Sequence, residues 1–187
     1  QWPGLFSGAG ALDPCCYPKD NFYLHQAQWT DKPMVHILPH WNWPGDEGQV
    51  KDVWAYTNCE EVELFLNGQS LGRQPAGPNH RYAARFTTAY APGELTAVGY
   101  EDGVETARWT LATSGAAVAL RMEVDRADLA ADGQDLAYIT LSWVDEAGRR
   151  VFDETAPMSV TVEGADFTYT PDEGITGADS FTYAATD

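Results

Sequence analysis

Two histidines and two tryptophans fall close together in this chain: His36, His40, Trp41 and Trp43. Rings with an apolar face and one polar handle either line a carbohydrate or protein contact or fill a core or interface. No other cluster has spacing suited to chemistry. Cys15, Cys16 and Cys59 form no CxxC pair and no Cys/His zinc pattern. A bridge between the vicinal pair would be strained, so all three are expected to be small buried thiols. Asp125, Asp128, Asp132 and Asp135 do not alternate as a helix-loop-helix calcium site requires, and Asp172, Asp179 and Asp187 are equally scattered. A solvated acidic face accounts for them. No serine sits in a nucleophile elbow, and Gly8-Ala9-Gly10 lacks the strand and helix of a phosphate cradle. His25 and His80 carry no motif and are expected to be solvated. No metal and no cofactor are therefore expected.

The elements that must carry these residues belong to a globular chain of 187 residues, 44% hydrophobic and 12% aromatic. Its net charge of −17 repels nucleic acid and anionic lipid, which bind through basic clusters that are absent here. No apolar run approaches the roughly 20 residues of a membrane span. The opening Gln1-Trp2-Pro3-Gly4 has no start methionine and reads as a piece cut from a longer chain.

One helix is expected, over Asn21 to Trp29, with Asp20 capping its start and Phe22, Gln26 and Trp29 sharing one face. Thr30-Asp31-Lys32-Pro33 stops it. From Met34 onward the period is two. Strands are expected over Val50–Thr57, Glu61–Leu66, Tyr82–Thr88, Glu94–Tyr100 and Val104–Leu111. Asn67-Gly68 marks a type I′ hairpin and Glu101-Asp102-Gly103 a further turn. After the linker Thr113-Ser114-Gly115-Ala116, alternation resumes at Val118–Val124, Ile139–Trp143 and Met158–Val162, with a turn at Asp145-Glu146-Ala147-Gly148. Short strands punctuated by turns predict antiparallel sandwiches.

Three motifs occur in one order: Tyr17-Pro18-Lys19-Asp20-Asn21-Phe22-Tyr23-Leu24, then Leu38-Pro39-His40-Trp41-Asn42-Trp43-Pro44-Gly45, then Val53-Trp54-Ala55-Tyr56-Thr57-Asn58 through Asn67-Gly68. Together they resemble the C-terminal part of glycoside hydrolase family 2 β-galactosidases, over roughly residues 7 to 165. The resemblance implies a mainly β chain: immunoglobulin-like antiparallel β-sandwich domains preceded by a short helical tail of a (β/α)8 barrel. It places a barrel remnant at 1–33, an immunoglobulin-like sandwich at 34–112 and an invasin-type sandwich at 116–187. Residues 166–187, with Phe167-Thr168-Tyr169-Thr170-Pro171-Asp172, also resemble the end of a cadherin-like repeat. They either complete the second sandwich or form a recombined end.

A retaining glycosidase uses two carboxyl groups about 5 Å apart, one a nucleophile and one an acid/base. The resemblance puts both glutamates upstream of Tyr17, so no catalytic residue is expected and the chain alone is predicted inactive. Asp13, Asp20 and Asp31 match no catalytic position. The resemblance also gives His36, His40, Trp41 and Trp43 a role as a wall against galactose; the alternative is that they stitch an interdomain contact. The implied partners are the rest of the glycosidase barrel and β-galactoside glycans, in an extracellular or periplasmic bacterial enzyme. A non-catalytic carbohydrate-binding or adhesion module is the competing reading, and β-glucuronidase or β-mannosidase specificity stays open.

Overall fold

The computed structural model describes residues 10–14, 16–130, 136–163, 166–171, 180–182 and 184–186. The chain divides into two compact units, Gln1–Thr113 and Ser114–Asp187.

The first unit opens with α1 (Asp20–Trp29), followed by β1 (Val35–Leu38), β2 (Val50–Thr57), β3 (Glu61–Leu66), β4 (Gln69–Pro75), β5 (Ala83–Ala89), β6 (Glu94–Glu101) and β7 (Val104–Ala112). Two antiparallel sheets result, ordered β1-β2-β5 and β4-β3-β6-β7. Lettered as an immunoglobulin fold, strands A, B and E face C′, C, F and G. The period-two residues explain the layering. Val53 and Ala55 of β2, Val62 and Leu64 of β3, and Leu95 and Ala97 of β6 are all fully buried between the sheets. Each buried Val or Leu stabilises by about 1.5–3 kcal/mol. Leu66 also packs against this core.

Turn chemistry fixes the register. Asn67 and Gly68 have φ of 51° and 80°, as the β3–β4 hairpin demands. The Asn67 side chain then accepts the Glu94 N–H at 2.8 Å and donates to the Pro92 carbonyl at 3.0 Å. At the end of the unit, the Thr113 hydroxyl donates to the Trp41 carbonyl at 2.8 Å and accepts the Gly93 N–H at 3.2 Å.

The second unit contains β8 (Ala119–Val124), β9 (Asp128–Ala130), β10 (Ile139–Val144), β11 (Met158–Glu163), β12 (Asp166–Pro171), β13 (Ser180–Thr182) and β14 (Ala184–Thr186). β8 pairs with β10, and β11-β12-β13 form a second antiparallel sheet. β14 pairs with β9 in parallel, against the antiparallel expectation for the rest of the chain. Leu120, Trp143 and Val151 make its small core. The Asp145 carboxylate accepts the backbone N–H groups of Gly115, Ala147 and Arg149, first among the causes that hold it below the usual carboxylate range.

Two expectations need correction. Asp20 does not cap α1: the cap position is Lys19, without a side-chain cap, and Asp20 is the first helical residue. There its negative charge still suits the helix dipole. The face of α1 that packs inward is not the one Phe22, Gln26 and Trp29 share. Ala27 is the buried residue, Tyr23 lies one turn before it, and Trp29 is 80% exposed. Finally, Cys59 is buried but Cys16 is exposed, and both carry free thiols. Cys15 and residues 131–135, including Asp132 and Asp135, lie outside the described residues, as do Asp172, Asp179 and Asp187.

Candidate functional site

The residues that sequence singles out as a wall are separated by the fold into three environments. Trp41 is 2% exposed, packs edge-on against Tyr90 at 5.1 Å between centroids, and donates its indole N–H to the Ala91 carbonyl at 3.1 Å. It is core, and offers no surface to a ligand. His40 and Trp43 stack on each other at 4.3 Å on the outside. The Trp43 indole donates to the His40 carbonyl at 3.1 Å, and the Lys51 ammonium lies 4.4 Å above the indole ring while paired to Asp46. This is a small cation–π cluster whose Trp43 also packs against the core.

His36 sits elsewhere. On β1, Val35 and Ile37 point into the core, so His36 points to the outer face of its sheet, opposite Tyr56. Helix α1 covers that spot. Tyr23 lies flat on His36 at 3.6 Å between centroids, with planes 9° apart, and the Asp20 carboxylate approaches Nε2 at 3.5 Å. Asn58, in the β2–β3 turn, holds the helix in place. Its amide donates to the Thr30 and Lys32 carbonyls at 3.0 and 2.9 Å, and its oxygen accepts the Met34 N–H at 2.9 Å. The segment between helix and strand is thereby tied to the sandwich.

Electrostatics follow from this packing. Burial lowers the pKa of His36 below 6.5, and the hydrogen bond and charge of Asp20 oppose it. The Tyr56 phenol is raised, first by burial and then by the Asp20 charge. The Nδ1 atom of His36 is buried and has no hydrogen-bond partner among the described residues. An unsatisfied buried acceptor costs about 1–3 kcal/mol.

Beside His36 the sandwich leaves an open cleft of about 280 Å3, lined by Tyr23, Gln26, His36, Arg108 and Trp109 among others. Trp109 comes from β7, which lies against β1, and its ring centroid is 5.4 Å from His36 and 6.4 Å from Tyr23. Of the four residues proposed from sequence, only His36 lines this cleft. Tyr23 carried a signal inside the Tyr17–Leu24 motif. Trp109 carried none, because only the sheet topology brings β7 beside β1. Among the described residues, no group of three or more His, Cys, Asp or Glu side chains could hold a metal ion, and no helix is long and apolar enough to cross a membrane.

Comparison with known proteins adds the family. Residues 48–107 match the family described as a domain of unknown function (DUF4982), and residues 120–180 match glycoside hydrolase family 2 C-terminal domain 5. The chain is 37% identical over 174 residues to the β-galactosidase BoGH2A of Bacteroides ovatus, covering 92% of this chain and 20% of that protein. It is 40% identical over 146 residues to a putative β-glucuronidase of Formosa agariphila, covering 77% of this chain and 14% of that one. Among solved structures, a glycosyl hydrolase family 2 member from Bacteroides cellulosilyticus superposes with a TM-score of 0.85 at 27% identity, over 94% of this chain and 31% of that one. A second from the same species gives 0.80 at 36% identity, over 87% and 24%. The chain thus spans a fifth or less of the length of these two curated relatives. With residues 120–180 matching a C-terminal domain of that family and most of the chain aligning with its members, the chain belongs to glycoside hydrolase family 2, within the C-terminal region of that family's proteins.

Proposed function

We propose that this chain is the accessory C-terminal region of a secreted or periplasmic retaining β-galactosidase, buttressing a barrel that holds both catalytic glutamates. The observation that carries the reading is the 37% identity to a β-galactosidase across 92% of this chain. The side chains ahead of β1 are consistent with it. Before Pro33 the only carboxylates are Asp13, Asp20 and Asp31. Asp13 accepts the Tyr17 N–H at 2.8 Å and Asp20 approaches His36, so neither forms part of a carboxyl pair poised across a sugar. Helix α1 and the segment before it belong, in this reading, to the end of the barrel. His36 and the His40–Trp43 stack lie, in this reading, at its junction with the sandwich.

The test is hydrolysis of chromogenic β-galactoside, β-glucuronide and β-mannoside by the 187-residue chain and by a longer protein carrying it. The expected result is no turnover by the chain and β-galactoside turnover by the longer protein. Turnover by the chain alone would show that a site has been built from residues assigned here to structure. Preference of the longer protein for the glucuronide would move it beside the Formosa relative. No hydrolysis by either, together with measurable glycan affinity, would favour a purely carbohydrate-binding module.

A further inference from the structure

Trp109 stands opposite Ala97, which is fully buried, so its indole lies on the core face of its sheet. Yet it is 40% exposed, because β7 is an edge strand and nothing described closes over it. His36 lines the same cleft, and its Nδ1 is buried without a partner among the described residues.

We propose that the cleft between α1, β1 and β7 is a carbohydrate subsite that takes one neutral pyranose ring. Trp109 supplies the stacking platform, and Gln26 and Arg108 meet the hydroxyl groups. Size favours a single ring: about 280 Å3 lies near the lower end, roughly 300 Å3, of ordinary ligand sites. Charge favours a neutral sugar over a uronate. Arg108 is already held by Glu105 through two contacts of 2.8 and 2.9 Å, and Asp20 lies against His36. The cleft therefore has no unmatched cation for a carboxylate, within a chain of net charge −17. The galactose configuration of the ring rests on the function proposed above; the existence of the subsite does not.

The experiment is a titration of the 15N-labelled 187-residue chain with methyl β-D-galactopyranoside, and in parallel with the methyl β-D-glucuronide. Saturating shifts are expected at Gln26, Arg108 and Trp109, with the uronate at least about tenfold weaker. Trp109→Ala should lower affinity about tenfold, while Trp54→Ala, on the outer face of the other sheet, should leave it unchanged. Absence of saturation, or an undiminished affinity in Trp109→Ala, overturns the proposal. If Trp109→Ala loses its spectral dispersion, Gln26→Ala on the exposed side of α1 decides, with a loss of about threefold expected. Hydrolysis by the longer protein is measured separately. Galactoside turnover without cleft binding sinks this subsite alone, and cleft binding without turnover sinks the galactosidase reading alone.

Discussion

Burial disfavours the charged form of His36 more than Asp20 favours it, so its folded pKa lies below the 6.5 of the unfolded chain. Above that pH the ring is neutral in both states and its titration leaves stability unchanged. As pH falls below 6.5, the unfolded chain takes up a proton that the folded chain refuses, and stability falls until the folded pKa is reached. Between about pH 7.5 and about pH 5.5 the thermal midpoint of the native protein should therefore drop further than that of His36→Gln. Equal drops in the two proteins would mean that other groups carry the whole acid response. His36 was recognisable in the sequence from its neighbours His40, Trp41 and Trp43. Its working partners were not. Asp20 looked like a helix cap because Asp before an apolar run usually is one, but here the helix begins at Asp20 and the carboxylate turns to the sheet.

Strands with one buried face announced themselves. Val50–Thr57 and Glu61–Leu66 alternate cleanly and form β2 and β3 over those same residues. β1 and β4 were not delineated, for opposite reasons. In β1, residues Val35, His36 and Ile37 are all buried, because α1 covers the outer face, so alternation disappears. In β4 only Leu71 is partly covered and the rest is exposed, so its place in the sheet comes from the Asn67-Gly68 hairpin rather than from apolar pattern. Close contact between strands and turn also makes a glycine necessary. A Cβ on Gly99 of β6 would lie 2.7 Å from the Cys59 sulfur and 3.2 Å from its Cβ. Gly99→Ala should cost about 1–3 kcal/mol, read as a lower urea midpoint at unchanged slope. Adding Cys59→Ala should recover part of that loss, since it removes the sulfur; a strictly additive double variant would contradict the clash.

Across the whole molecule, 28 acidic residues face 11 basic ones. Several carboxylates are matched in exposed pairs, such as Asp52 with Arg85 at 2.9 Å, but most of the charge is uncompensated. Self-repulsion then opposes compaction. Raising salt from about 10 mM to about 100 mM shortens the screening length from about 30 Å to about 10 Å and should raise the thermal midpoint. A fall would show that the exposed ion pairs outweigh the repulsion. The mainly β architecture was legible because short strands and turn residues recur throughout; the parallel pairing of β14 with β9 was not, since nothing local to either segment specifies a distant partner. Thr113 closes the first unit, and two of its hydroxyl bonds have a mechanical meaning. A pull on the chain at Ser114 reaches Thr113 before it reaches β7. The hydroxyl bolts that exit to Trp41, in the core, and to Gly93, at the start of the neighbouring strand. The edge strand is loaded in concert with the core behind it, and it cannot unzip one residue at a time from its free end.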